Sequence, residues 1–145
     1  MRPSQLTTLV DGLLHEGTQV TDRGLDLTVA EVLRVETPGR VDFGGDELER
    51  PNVSAHEKVW RDDEDDYQWW RLEGGQYLVE YNENLTADRP LTVQTRTAMC
   101  ERGAFHPTLQ LSELGRMPLS VAPGGIRLKE NARISTVLPP EEGTE

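Results

Sequence analysis

The chain has 145 residues, 35% of them hydrophobic and 28% charged, with a formal net charge of −11. One core-forming domain is the simplest reading at that length. The acidic balance excludes a surface that holds nucleic-acid polymers, which needs clustered Lys and Arg, and a lone cysteine, Cys100, excludes an internal disulfide or a multi-cysteine zinc site.

In residues 4–16, Leu6, Leu9, Val10, Leu13 and Leu14 recur at the spacing of an amphipathic helix, with Ser4 able to cap it and Gly17 to end it. Leu25, Leu27 and Val29 then alternate with Asp26 and Thr28, the pattern of a strand with one buried face. The phase slips at Val32-Leu33, which predicts a bulge, and Pro38-Gly39 signals a turn. Residues 42–71 mix turn residues, acids and three tryptophans, and are read as an irregular acidic excursion with short strands near Val59-Trp60 and Gln68–Leu72.

From Gly75 the pattern is all β. Tyr77, Val79 and Tyr81 alternate, as do Leu91, Val93 and Thr95. Short strands follow at 119–121, 126–128 and 133–138, punctuated by Gly and Pro at hairpin spacing. One helix followed by many short strands predicts a mostly β fold, a sandwich, jelly roll or barrel, over residues 1–138. The tail 139–145, PPEEGTE, is expected to be flexible.

Lysine occurs only at Lys58 and Lys129. Lysine-poor acidic surfaces suit a high-salt cytoplasm, where dissolved ions screen self-repulsion. The start MRPSQLTTLV lacks the basic head and apolar stretch of a signal peptide, and no run approaches membrane-spanning length. The expectation is a cytoplasmic protein with no membrane and no nucleic-acid polymer among its partners.

Three segments carry a further signal. Gly24-Leu25-Asp26-Leu27 opens a strand. Arg96-Thr97-Ala98-Met99 follows a strand, with Gly103 beyond it. Arg133-Ile134-Ser135-Thr136-Val137-Leu138 comes late, after a turn at Lys129-Glu130-Asn131. In this order they resemble the first, second and late motifs of the dUTPase/dCTP deaminase superfamily. The resemblance implies a distorted jelly-roll β-barrel of the dUTPase type with one N-terminal helix, a homotrimer, a deoxynucleoside triphosphate bound between subunits, and Mg²⁺ on the triphosphate.

Carried over residue by residue, the resemblance puts Asp26 near the metal, and Arg96, Thr97, Arg133 and Thr136 on the phosphate side. Aligning the family's third motif on Gly115 puts Gln110 where the catalytic aspartate stands. Gln can hold a water but cannot take its proton, and Glu113 is the candidate substitute acid. The deaminase's glutamate falls at Ser120. The implied activity is hydrolysis of dUTP to dUMP and pyrophosphate. The alternatives are a catalytically silent nucleotide-binding or protein-interaction member of the fold and, third, a dCTP deaminase.

The remaining features have plainer readings. Asp62–Asp66 is a solvated acidic loop, His106 an ordinary loop histidine and Cys100 a small buried residue. Of Trp69 and Trp70, one belongs to the core and one to the surface.

Overall fold

The computed structural model describes residues 1–141. It opens with a 3-10 helix, Pro3–Leu9, followed by β1 (Val10–Asp11), α1 (Glu16–Gln19) and the long strand β2 (Leu25–Thr37). β3 (Asn52–Ala55), β4 (Trp69–Leu72), β5 (Gly75–Tyr81), β6 (Asn84–Leu85) and β7 (Leu91–Thr95) come next. α2 (Thr97–Cys100) leads to β8 (Ala104–Phe105), β9 (Leu109–Leu111), β10 (Met117–Val121), β11 (Ile126–Lys129) and β12 (Arg133–Val137).

The main sheet runs in the order β8-β10-β5-β2-β12-β7-β9, with β3 also paired to β2; β1 pairs with β6, and β4 with β11. This curled antiparallel sheet is the expected jelly-roll type of β-barrel. Its core includes Leu6, Leu25, Leu27, Val29, Trp70, Val79, Val93 and Ile134. As expected of neighbours on one strand, Trp70 is wholly buried and Trp69 half-buried.

β2 is the pivot. Leu25–Thr28 pairs with β12, the next stretch pairs with β5, and the last with β3. The register against β5 shifts between Val29 and Glu31. This is the expected bulge, and an extra residue there bends the strand so that it can serve two parts of a curved sheet. The strand departs from the one-sided pattern, because Asp26 and Thr28 are as buried as their apolar neighbours. Polar groups cover its second face. Glu83 accepts hydrogen bonds from the Thr28 amide, the Thr28 hydroxyl and Gln19 Nε2. Burial raises the Glu83 pKa against the opposing pull of these donors.

The N-terminal helix expected over 4–16 is not continuous. Helical structure stops at Leu9, in 3-10 form, and Arg2 rather than Ser4 stands at the cap, where its amide donates to Gln5 Oε1 at 2.7 Å. Thr7 and Thr8 turn their hydroxyls back onto the carbonyls of Ser4 and Gln5, competing with regular helix bonding. Val10 and Asp11 then pair with Leu85 and Asn84. Gly12 turns the chain at φ +84, its α-carbon so close to Asn82 O that a Cβ would lie 2.9 Å away. Gly17 sits inside α1 and does not end a helix.

The excursion 42–71 is less irregular than expected. β3 lies within it, while Val59 bridges Trp69 and β4 falls where short strands were predicted. Arg61 pairs with Asp62 and Asp65, folding the acidic run into a local turn. No described helix is long and apolar enough to cross a membrane.

Two side-chain expectations need correction. Cys100 is exposed, because α2 lasts one turn and buries Met99 instead. His106 is buried. Its Nδ1 lies 2.8 Å from the Pro107 carbonyl, so that nitrogen must donate, and Nε2, 2.7 Å from Ser135 Oγ, must accept. Ser135 in turn accepts from Tyr81 Oη, at 2.6 Å. Burial raises the Tyr81 pKa to about 12, so the phenol remains a donor.

Burial also lowers the His106 pKa, outweighing its bond to Pro107. The folded chain therefore takes this proton less readily than the unfolded chain, which takes it near pH 6.5. Stability should fall as pH drops below about 6.5, by up to about 1.4 kcal/mol per pH unit for this one group. His106→Gln should flatten that limb in urea melts between pH 7 and 5; an unchanged slope would refute the assignment.

Candidate functional site

Directly opposed residues of antiparallel neighbours share a face. Asp26 is opposite Thr136, and Thr136 is opposite Gln94. Thr92, on the same face of β7 as Gln94, is opposite Gln110. Adjacent positions, Leu25-Val137-Val93 and Leu27-Ser135-Thr95, face the core. The strand alternation thus places Asp26, Thr136, Gln94, Thr92 and Gln110 along one outer face. Two strand spacings and a two-residue step put Thr136 and Gln110 on the order of 12 Å apart.

The β2 end of this strip is built around Asp26, whose side chain is only 4% exposed. Thr136 Oγ1 donates to its Oδ1 at 2.8 Å, and Arg133 Nη1 to its Oδ2 at 3.1 Å. Arg96 Nε lies 3.5 Å from the same Oδ2. Arg133 also donates to the Thr18 carbonyl, and Arg96 to the Arg133 carbonyl. Burial lowers the Arg96 pKa, with the neighbouring Arg133 charge acting in the same direction. Asp26 thus fixes two guanidinium groups side by side, each more than a quarter exposed.

Thr97 begins α2, and its hydroxyl accepts from Arg23 Nη1 at 2.8 Å. Together these residues line a cleft of about 270 Å³ carrying Arg23, Arg96 and Arg133 against Asp22 and Asp26. The structure therefore brings together Asp26, Arg96, Thr97, Arg133 and Thr136. It adds Arg23, which the sequence reading passed over although it immediately precedes the Gly24-Leu25-Asp26 stretch. Gly24 allows the close approach of β2 and β12, since a Cβ there would lie 2.1 Å from Val137 O.

Asp26, the residue expected near the metal, is engaged by Thr136, Arg133 and Arg96. Two of about four carboxylate lone-pair positions accept hydrogen bonds, from Thr136 and Arg133, and Arg96 adds a second cation at ion-pair distance. Among the described residues no group of three or more His, Cys, Asp or Glu could hold a metal ion.

Gln110 is exposed at the β9 end, in a second cleft of about 540 Å³ shared with Arg89, Thr92, Leu138, Pro139 and Glu141. Glu113 is exposed beyond β9 and does not line that cleft. The carboxylate lining the same cleft as Gln110 is Glu141, in the acidic tail; residues 142–145 of that tail lie outside the described residues. Ser120 is half-buried on β10, opposite Gln76 and Phe105.

Comparison with known proteins agrees with this architecture. No family model matches the chain. It is 31% identical over 137 residues to a probable deoxyuridine 5'-triphosphate nucleotidohydrolase of Methanosarcina acetivorans, and 30% identical over 137 residues to its namesake in Methanosarcina mazei. Each match covers 90% of this chain and 77% of the relative. The crystal structure of 2'-deoxycytidine 5'-triphosphate deaminase from Agrobacterium tumefaciens superposes with a TM-score of 0.61 at 17% identity, covering 94% of this chain and 46% of that one. The extent and identity of the curated matches establish that the chain belongs to the dUTPase/dCTP deaminase superfamily.

Proposed function

We propose that this protein hydrolyses a deoxynucleoside triphosphate of the dUTP type to the monophosphate and pyrophosphate. The observation that carries the reading is the Asp26 cleft, with three guanidinium groups against two carboxylates on a chain of net charge −11. Guanidinium groups match phosphate oxygens in geometry and charge. Asp26 holds Arg96 and Arg133 in place before an anion arrives, and Arg23 orients the Thr97 hydroxyl. Phosphates bound there would direct the rest of the nucleotide along the outer face toward Gln110. Water adds to the α-phosphorus, pyrophosphate leaves, and the water's proton passes to a base. Gln110 positions that water and Glu141 accepts its proton. Mg²⁺ belongs to the substrate in this reading, chelated by the triphosphate.

The Gln110 end of the strip lies open on one chain, and the reading includes its cover by a neighbouring copy in a homotrimer. A second reading, a silent nucleotide binder, draws support from the amide at Gln110. Deamination has less support, because Ser120 offers no carboxylate.

The test is pyrophosphate release from dUTP with Mg²⁺ in concentrated KCl. Turnover is expected, and Glu141→Gln should reduce it. A competent base is commonly worth about 10²–10⁴-fold, so Gln110→Asp should raise kcat toward that range. No turnover in the wild type and in Gln110→Asp, with thermal stabilisation by dUTP, would overturn hydrolysis in favour of silent binding.

A further inference from the structure

Two surface features are unaccounted for by the nucleotide site. The first is the arm between β2 and β3. Arg40 and Glu49 form a backbone bridge and a 2.9 Å ion pair at its base. Asp42 Oδ2 accepts from the amides of Gly45 and Glu47 at its tip. This ordered arm leaves Phe43 and Val41 almost fully exposed, with Leu48 largely so. Asp46 and Glu47 are also exposed and have no ion pair among the described residues.

The second feature is a broad cleft of about 910 Å³ beside the β4–β11 ladder. Arg71 and Arg127 are directly opposed across that ladder, and like charges in this position repel. Among the described residues neither has an ion-pair partner. Arg102 stands on the rim, as does one acid, Glu73, while Pro123 and Ile126 supply apolar surface.

We infer that the 40–49 arm of one copy of this chain docks in the Arg71/Arg127 cleft of a second copy. Asp46 and Glu47 neutralise the opposed arginines, and Phe43 covers the apolar rim. The size of the cleft suits a chain segment better than a small anion. Arm and cleft are different surfaces, so the contact is heterologous, and such contacts generate rings when the rotation closes. The inference rests on the homotrimer included in the proposed function and assigns a contact that would build it.

Sedimentation equilibrium of the full chain tests both levels. Phe43→Ser should raise the dissociation constant at least tenfold. The Arg71→Glu/Arg127→Glu and Asp46→Arg/Glu47→Arg pairs should each do the same, and combining the two pairs should restore assembly. Far-UV circular dichroism establishes that each variant is folded. A monomeric wild type would overturn the trimer and this contact together. A wild-type trimer unmoved by these variants, or a combined swap that fails to restore assembly, would overturn the contact alone.

Discussion

Replacing Gly24 with alanine is expected to cost at least about 3 kcal/mol, at the upper end of overpacking penalties. The added Cβ would meet Val137 O at 2.1 Å and the Val137 carbonyl carbon at 3.1 Å. Both are backbone atoms of the neighbouring strand, so no side chain can swing aside. Relief requires separating β2 from β12, which would disturb the Asp26–Thr136 pairing two residues from Gly24. Urea and thermal melts measure the loss. At about 3–5 °C per kcal/mol for a domain of this size, the midpoint should fall by about 9 °C or more. Gly115→Ala is the control: its Cβ would meet nothing within 4 Å, so a change within about 0.5 kcal/mol is expected. Equal effects at the two positions would refute the steric argument.

Asp26→Ala should cost about 3 kcal/mol, the lower end for breaking a buried ion pair, because its arginine partners are partly exposed. It removes the one carboxylate, among the described residues, within ion-pair distance of Arg96 and Arg133, and it deprives Thr136 of its acceptor. Two adjacent guanidinium groups would then repel without compensation. Asp26→Asn keeps an acceptor for Thr136 and should lose less. The difference between these variants in urea melts should shrink in concentrated salt, where exposed charges are screened. If Asp26→Ala were neutral, Asp26 would not organise the arginines. If pyrophosphate release also survived it, the cleft would not be the phosphate site.

Most of the barrel was legible in the sequence because alternation reports on sides of a sheet. Leu91, Val93 and Thr95 face inward on β7, as do Tyr77 and Val79 on β5, and a phase slip marked the β2 bulge. The Leu6–Leu14 stripe misled because spacing alone cannot distinguish a helix from a 3-10 turn, a strand and a glycine turn that also bury Leu6 and Val10. β3 was hidden because edge pairing asks little of side chains, and in NVSA only Val53 is a large apolar residue.

Within the candidate site, Asp26, Arg96, Thr97, Arg133 and Thr136 were found through motif resemblance. Their convergence depends on the register of strands distant in sequence. Arg23 and Gln94 escaped because neither has a local signal, and Glu141 because its relevance depends on the chain end passing Gln110. His106 and Glu83 are buried polar groups that each have partners distant in sequence, Ser135 for one and Thr28 and Gln19 for the other, so no local pattern could distinguish them from surface residues.

The strand order carries a consequence for how the molecule comes to be made. β12 follows every other strand in the sequence, yet lies between β2 and β7. During synthesis β2 must therefore wait for its neighbour until β3 to β11 have been made, with an unsatisfied backbone edge in the meantime. Such long-range pairing slows folding, and unpaired edges leave nascent chains open to misassociation. The strand that completes the Asp26 cleft is also the one that closes this window.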